Sequence, residues 1–234
     1  MIVFSDSFIL EVIYLMVGFA LLFLLIILYT RFTYVMDRKW KESIRELYQT
    51  LLAQYVNSKD PKKAKKIRER IIKISNSKEK KEILLDEVTD LYNSFNGICS
   101  KMAQELYQDM ELYKLSIKKL KHHRWHMKME GIVELSLMNY KEAYSLIVPL
   151  LYHKNVDVRR KAKIAIIELK KAKGLEDLVN LPTEMSNWTF LSILSILHRH
   201  PSKLTNNELN NLKNSDSESM KSLARHLEKH SLAV

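Results

Sequence analysis

Glycine and proline are scarce, with four of each in 234 residues. A β-sandwich or barrel spends turn residues at every strand end, so this shortage excludes an all-β fold and leaves helices joined by short links. Cysteine is scarcer still. Cys99 alone cannot close an internal disulfide, and no CxxC or CxxH spacing offers zinc ligands. Beside Gly97 it reads either as a reactive thiol or as a small packing residue. The lack of glycine also removes backbone cradles for phosphate: there is no GxxxxGK[ST], no GxGxxG, and no GxSxG elbow for a serine nucleophile. Acidic residues are outnumbered, 27 against 38 Lys and Arg, a formal net charge of +11. That balance favours anionic partners: nucleic acid, acidic lipid or an acidic protein surface.

What the chain does contain begins with hydrocarbon. No charge interrupts Val12 to Thr30, and Leu21 to Leu28 is unbroken aliphatic and aromatic side chains. A bilayer core takes about 20 helical residues, so 8–30 is expected to be a transmembrane anchor. A cleaved signal peptide would need cations before the apolar run and small residues after it. Here Asp6 and Glu11 precede it, and Tyr29, Arg31 and Phe32 close it. Arg31, Arg38, Lys39, Lys41 and Arg45 all follow the run. The positive-inside rule then sets the N-terminus outside and the rest at the cytoplasmic face of the inner membrane, single-pass.

Beyond the anchor, 31–57 is expected as a juxtamembrane amphipathic helix, because Trp40, Ile44, Leu47, Leu51 and Tyr55 repeat in steps of four and three. A helical region follows over 60–122. Asp60-Pro61 is a helix start, with Asp as cap and Pro in the first turn. Ala64, Ile67, Ile71 and Ile74 supply its apolar face, and Lys62, Lys63, Lys65, Lys66, Arg68, Arg70 and Lys73 the remainder. Asn76 with Glu79 suggests a capping arrangement for the next helix, with Leu84, Val88, Leu91 and Phe95 inward and Gly97 at its end. Further helices are expected over 98–107 and 109–120.

The region 123–232 carries a repeat. Gly131-Ile132-Val133-Glu134-Leu135 matches Ala165-Ile166-Ile167-Glu168-Leu169 at an offset of 34, a period typical of stacked helix pairs. Between the two lie Leu146-Ile147-Val148-Pro149-Leu150-Leu151, a turn at His153-Lys154-Asn155, and Val158-Arg159-Arg160-Lys161-Ala162-Lys163-Ile164-Ala165. This stretch resembles a HEAT repeat, in which a leucine-rich helix precedes a second helix that opens on Val-Arg and carries two alanines three apart. The resemblance spans 125–181 best. It implies an all-α, HEAT-like α-solenoid behind the anchor, with Leu150, Leu151, Val158, Arg159, Ala162, Ala165 and Leu169 as packing positions. At the turn, His153 and Val156 stand where the family has Asp and Pro, so an Asp–Arg ladder between repeats is not implied. Ser186 caps a later helix, Trp188 to His198, bounded by Pro201. A polar Asn/Ser stretch leads to a last helix, Glu218 to His230. Leu120, Trp125, Gly131-Ile132, His153-Lys154-Asn155, Gly174-Leu175 and Trp188 are also similar to bacterial membrane-anchored HEAT-repeat proteins. Some of those accompany membrane glycosyltransferases, and the resemblance implies such a partner.

No catalytic residue, cofactor or metal site is expected. His122, His126 and Glu130 would share one helix face, but steps of four spread them over about 12 Å, too far for one ion. Beside Lys121, Arg124 and Lys128 they read as a solvated basic face. Trp125 and Trp188 are expected in the core. Asn187-Trp188-Thr189 has the glycosylation pattern on the wrong side of the membrane. The basic helix admits two readings: attraction to anionic lipid, at about 1 kcal/mol per cation, or an ordinary soluble face. A non-enzymatic membrane scaffold for a partner protein is the leading expectation. The alternative is a membrane-tethered nucleic-acid-binding module or HEAT-like base-processing enzyme. The tether argues against it, as does the absence of aromatics among the basic run.

Deletion of residues 1–30 is expected to release a helical protein into the soluble fraction, while the intact chain resists carbonate extraction. Carbonate-soluble full-length protein would contradict the anchor.

Overall fold

The computed structural model describes residues 6–58, 60–94, 97–179, 181, 185–199, 206–215 and 217–229. Among these residues there is helix and no strand. The two N-terminal segments expected from the sequence are one element. Helix α1, Asp6–Asn57, runs unbroken for 52 residues, about 78 Å at 1.5 Å per residue. From Leu10 onward it is long and apolar enough to cross a membrane, and none of its most apolar stretch is buried. No glycine or proline lies between Arg31 and Asn57 to break it.

The distal part of α1 enters a core. Tyr48, Leu51, Leu52 and Tyr55 are buried, whereas Ile44 and Leu47 are half-buried and Trp40 is 37% exposed. The buried stripe is therefore turned towards Tyr48 and Leu52, because α2 and α3 both pack on this segment. Helix α2, Pro61–Ile74, starts as its sequence requires: the Asp60 carboxylate accepts from the Lys62 N–H at 2.9 Å. Its C-cap residue Ser75 is buried and lies 2.7 Å from the Tyr48 hydroxyl. Helix α3, Lys78–Ser94, is preceded by Ser77, whose Oγ accepts from the Lys80 N–H at 3.3 Å. Asn76 instead accepts from the Lys80 ammonium, so the cap sits one residue later than expected. Leu84 and Val88 are buried and Leu91 half-buried, while Phe95 lies outside the described residues. Gly97, at φ 78°, stands directly before α4, Ile98–Asp109.

The helix expected over 109–120 is shorter. Glu111 takes φ 53°, and α5 spans Tyr113–Leu120. Here the Leu112 N–H reaches back to the Tyr107 carbonyl at 3.0 Å, a Schellman closure. Helix α6, Trp125–Leu137, ends the same way: Asn139 is at φ 52° and the Tyr140 N–H bonds Leu135 at 3.0 Å.

The leucine-rich segment is not a regular helix. It breaks into a 3-10 turn at Lys141–Ala143, helix α7 at Tyr144–Ile147 and a second 3-10 turn at Val148–Tyr152. Pro149 has no N–H to donate, which prevents a continuous α-helical ladder there. Helix α8, Val156–Lys170, is capped by the Asn155 side chain, which accepts from Asp157 and Val158 N–H groups. Val158, Ala162, Ala165 and Leu169 are buried against α6 and α10, Leu151 is buried, and Leu150 is half-buried. Arg159 donates to the carbonyls of His153 and Lys154, at 2.8 and 3.1 Å, so it clasps its own turn. A 3-10 turn at Lys171–Leu175 leads to α9, Glu176–Val179, then α10, Asn187–Arg199. Ser186 Oγ accepts from the Thr189 N–H at the start of α10. The polar Asn/Ser stretch before the last helix contains α11, Asn206–Lys213, with Leu209 and Leu212 buried. Helix α12 spans Glu218–Lys229; Pro201 and His230 lie outside the described residues.

Two buried clusters result. One joins α1 to α4, and the other runs from Leu120 at the end of α5 to α12. Tyr113 and Tyr140, stacked with ring centroids 4.6 Å apart, touch both. Helix α5 reaches α6 so closely that a Cβ on Gly131 would lie 2.5 Å from Leu120 N and 2.6 Å from Ser116 O. Those are backbone atoms and cannot step aside. Gly131→Ala is therefore expected to destabilise by about 1–3 kcal/mol through overpacking, although alanine is the better helix former. Gly18→Ala, with nothing within 4 Å, is the control, and thermal melts in detergent would separate the two.

Candidate interaction surfaces

The basic helix keeps most of its cations in solvent. Lys62, Lys63, Lys65, Lys66, Arg70 and Lys73 are exposed. Arg68 leaves the set, since its guanidinium pairs with Asp109 on α4 at 2.9 Å. Position matters more than exposure here. Helix α2 runs back along α1, with its start next to Asn57 and its end beside Tyr48. Lys62 to Lys66 thus sit some 26 residues beyond Arg31 along α1, about 39 Å at helical rise. A Debye length at physiological salt is about 8 Å. With α1 upright, these cations do not sense lipid headgroups at the level of Arg31.

Nearer the apolar end, α1 and the start of α3 enclose a mixed-charge cleft of about 470 Å³. Arg38, Lys41 and Arg45 face Glu79, Glu82 and Asp86 there. Lys41 pairs with Asp37 at 2.7 Å and Arg45 with Glu87 at 2.9 Å. Burial holds the Asp86 carboxyl above its ordinary value, against the pull of Lys119 and Arg45. Lys41 and Arg45, two of the cations that follow the apolar stretch, are thus paired locally.

The second surface is a groove of about 410 Å³ between α6, α8 and α10. Its walls are mostly apolar: Val133, Leu137, Ile164 and Ile196, with Trp188 and Leu191 on the rim. Trp188 is 75% exposed and Leu191 57%, so Trp188 is not the core anchor expected from sequence. The helix α10 face that carries them is turned away from the buried Ile193 and Leu197. Lys161 and Arg199 flank the groove. Glu168 lines it and is 8% exposed, and its Oε2 has no hydrogen-bond partner among the described residues. Burial lowers the nearby Lys171 amine, partly offset by Glu168, while burial and Glu168 raise the Tyr92 phenol.

The third surface gathers the histidines. His122 lies before α6, in the turn, so it does not share a helix face with His126 and Glu130. No group of three potential ligands that could hold a metal occurs among the described residues. Glu130 lies 3.6 Å from the Lys119 ammonium. The His122 and His123 rings lie with centroids 4.3 Å apart and planes tilted by 30°. Burial and the positive neighbours His123, Arg124, His126 and Lys128 hold it below the ordinary imidazole value. Trp125 is 45% exposed, again not a core residue, and lies edge-on to His126. His123, Arg124, Trp125 and His126 meet His153 and Lys154 around a cleft of about 510 Å³. Cys99 is free and half-buried.

No family model matches the chain, and no curated protein does. Among solved structures, an engineered protein from the Northeast Structural Genomics Consortium overlaps 80% of this chain and 97% of its own, at 15% identity and a TM-score of 0.34. At that level the likeness carries no weight for architecture or function.

Behind these surfaces lies one ion pair that holds α5 to α6. Lys119 Nζ is 2.5 Å from Glu134 Oε1, and both are largely buried, at 17% and 9% side-chain exposure. Burial raises the Glu134 carboxyl above its ordinary value, against the pull of Lys119, and Glu134 in turn keeps Lys119 protonated. Lys119→Met is expected to cost about 3 kcal/mol, because Glu134 would be left charged and buried. Lys119→Met with Glu134→Leu should recover most of that loss. A raised carboxyl pKa means the folded state holds the proton more tightly. In the Lys119→Met protein, stability should therefore fall as pH rises from the unfolded value near 4.5 through the raised folded value, and then level off. Urea titrations across that range would show it, and a flat profile would contradict it.

Proposed function

We propose that the chain is a non-enzymatic membrane-anchored adaptor. Its α1 spans the inner membrane once with the N-terminus outside, and its helical domain binds a partner protein at the cytoplasmic face. The observation that carries this proposal is the uncovered groove between α6, α8 and α10, with Trp188 and Leu191 on its rim. A large exposed tryptophan beside apolar walls is what an interface anchor looks like.

The occupant that fits is an amphipathic helix of a membrane-associated partner. Its apolar side would cover Leu137, Ile164 and Leu191, and its acidic flanks would face Lys161 and Arg199. A donor on it would meet the unpaired oxygen of Glu168. The HEAT-like resemblance supports the same function, since stacked helix pairs present extended surfaces. The buried Val158, Ala162, Ala165 and Leu169 suit such a pair. The same resemblance points to a membrane glycosyltransferase, or another component of envelope glycan synthesis or export, as the partner. The exposed cations of α2 are better placed to meet acidic protein than lipid, given their distance along α1.

A photo-crosslinking residue at Trp188 in the intact protein is expected to capture a membrane-associated protein through an amphipathic, acid-flanked helix. Trp188→Ala with Leu191→Ala should weaken that association by about 30-fold, or about 2 kcal/mol, with the helical spectrum unchanged. Crosslinking to a second copy of this chain, or an association indifferent to both substitutions, would overturn the proposal.

A further inference from the structure

The turns that open α6 and α8 are built alike. His122 Nδ1 accepts the N–H of Arg124, at 3.2 Å, and Arg124 is the residue before α6. His153 Nδ1 accepts the N–H of Asn155, at 3.1 Å, and Asn155 is the residue before α8. In each turn a histidine two residues ahead of the cap ties its Nδ1 to the backbone. A neutral ring in that state carries its proton on Nε2, so its outward nitrogen is a donor.

The cleft between these turns is lined by the Arg124 guanidinium, the Lys154 ammonium, the Trp125 indole, the outward Nε2–H of His153, the imidazoles of His123 and His126, and Asn155. The acceptors nearby are engaged. Asn155 Oδ1 caps α8, and Arg159 takes the carbonyls of His153 and Lys154. Among the described residues no ion pair neutralises Arg124 or Lys154, and no carboxylate lines the cleft. Asp157, in the first turn of α8, pairs with Arg160 at 3.0 Å. The N-terminal N–H groups of α6, which has no side-chain cap, add partial positive charge.

A lining dominated by cations and donors calls for a ligand of acceptors. Two permanent cations suit a dianion with several oxygens better than a single carboxylate. A volume of about 510 Å³ is several times what inorganic phosphate fills and lies in the range of small-molecule sites. The half-exposed Trp125 ring offers a flat apolar face beside the cations.

We propose that this cleft binds a phosphorylated ring compound, a nucleotide or sugar phosphate. Its phosphoryl group meets Arg124, Lys154 and the imidazoles, and its ring lies on Trp125. The cleft is separate from the groove beside Trp188, so the site stands whether or not the adaptor proposal does. The phosphoryl group has two sources, a soluble molecule or a lipid headgroup bearing a phosphorylated ring, and the test distinguishes them.

Full-length protein in mild detergent would be titrated calorimetrically with pyrophosphate, ADP and adenosine. ADP is expected to bind about fivefold or more tighter than pyrophosphate, and adenosine not at all. Arg124→Gln and Lys154→Gln should each weaken both anions by about tenfold, with circular dichroism unchanged. Trp125→Ala should bring ADP down to the pyrophosphate level. Joint replacement of Lys62, Lys63, Lys65 and Lys66 by Gln, and separately Trp188→Ala, should leave ADP binding intact. Displacement of ADP by vesicles containing phosphatidylinositol monophosphate, but not by phosphatidylcholine vesicles, would assign the site to a headgroup. No displacement would assign it to a soluble compound. Absence of binding, equal affinity for ADP and pyrophosphate, or loss only in the α2 variant would overturn the proposal.

Discussion

The two hydrophobic clusters beyond the apolar half of α1 are joined through the seam between α5 and α6. Ser116 and Leu120 press their backbone against Gly131, where a side chain has no room. That approach brings Lys119 to Glu134 and leaves both largely out of water. The Tyr107 hydroxyl, buried and raised in pKa, donates to Ser116 Oγ at 2.9 Å from the other side of α5. A helix of eight residues is marginal by itself, yet this one links both hydrophobic clusters. The pair of charges contributes little net energy once desolvation is counted. Its effect is to fix register, since any slip of α5 along α6 would strand a buried carboxylate.

The shortage of glycine has a visible structural counterpart in how helices end. Glu111, Asn139 and Lys171 all adopt positive φ, near 50–60°, where glycine would sit without strain. At Glu111 and Asn139 the cost, about 1 kcal/mol relative to a relaxed backbone, is offset by the closures that follow; Lys171, at ψ −137°, lies outside the left-handed helical region. Those ends were not legible in the sequence, because Glu and Lys give no stop signal. The starts were easier. Asp60-Pro61 names its own cap, and Asn155 and Ser186 sit where a cap is needed. Between Asn76 and Ser77 the choice turned on a side-chain rotamer rather than on composition. Proline at 149 was visible, but its effect, a run of short turns in place of one helix, depended on how Leu151 and Ile147 reach the core.

Surfaces were harder to foresee than cores. Apolar periodicity located Ile71, Leu84 and Val88 correctly, since burial of those faces is demanded by the pattern itself. Trp125 and Trp188 misled for the opposite reason. A tryptophan carries so much apolar area that core is the default assumption, and only the packing of α6 and α10 reveals that both rings point outward. The cleft between the two histidine-bearing turns joins residues about 30 apart in sequence. What could have exposed it is the shared spacing, a histidine two residues before each helix cap. A spacing such as His122–His126–Glu130 reports on one helix and carries no signal of a cleft formed between two turns.

The unbroken course of α1 gives the protein a mechanical property. A flexible linker would let the domain sample every azimuth around its anchor. A continuous helix ties the two rigidly, and the exposed neck from Arg31 to Ser43 becomes a setting screw. One residue inserted there turns the domain by about 100° and lifts it by about 1.5 Å. Three or four restore its bearing at a greater height. With α1 seated in a bilayer as proposed, the direction in which the groove and the cleft face, relative to any neighbour in that bilayer, is written in the residue count of that neck and not in its chemistry.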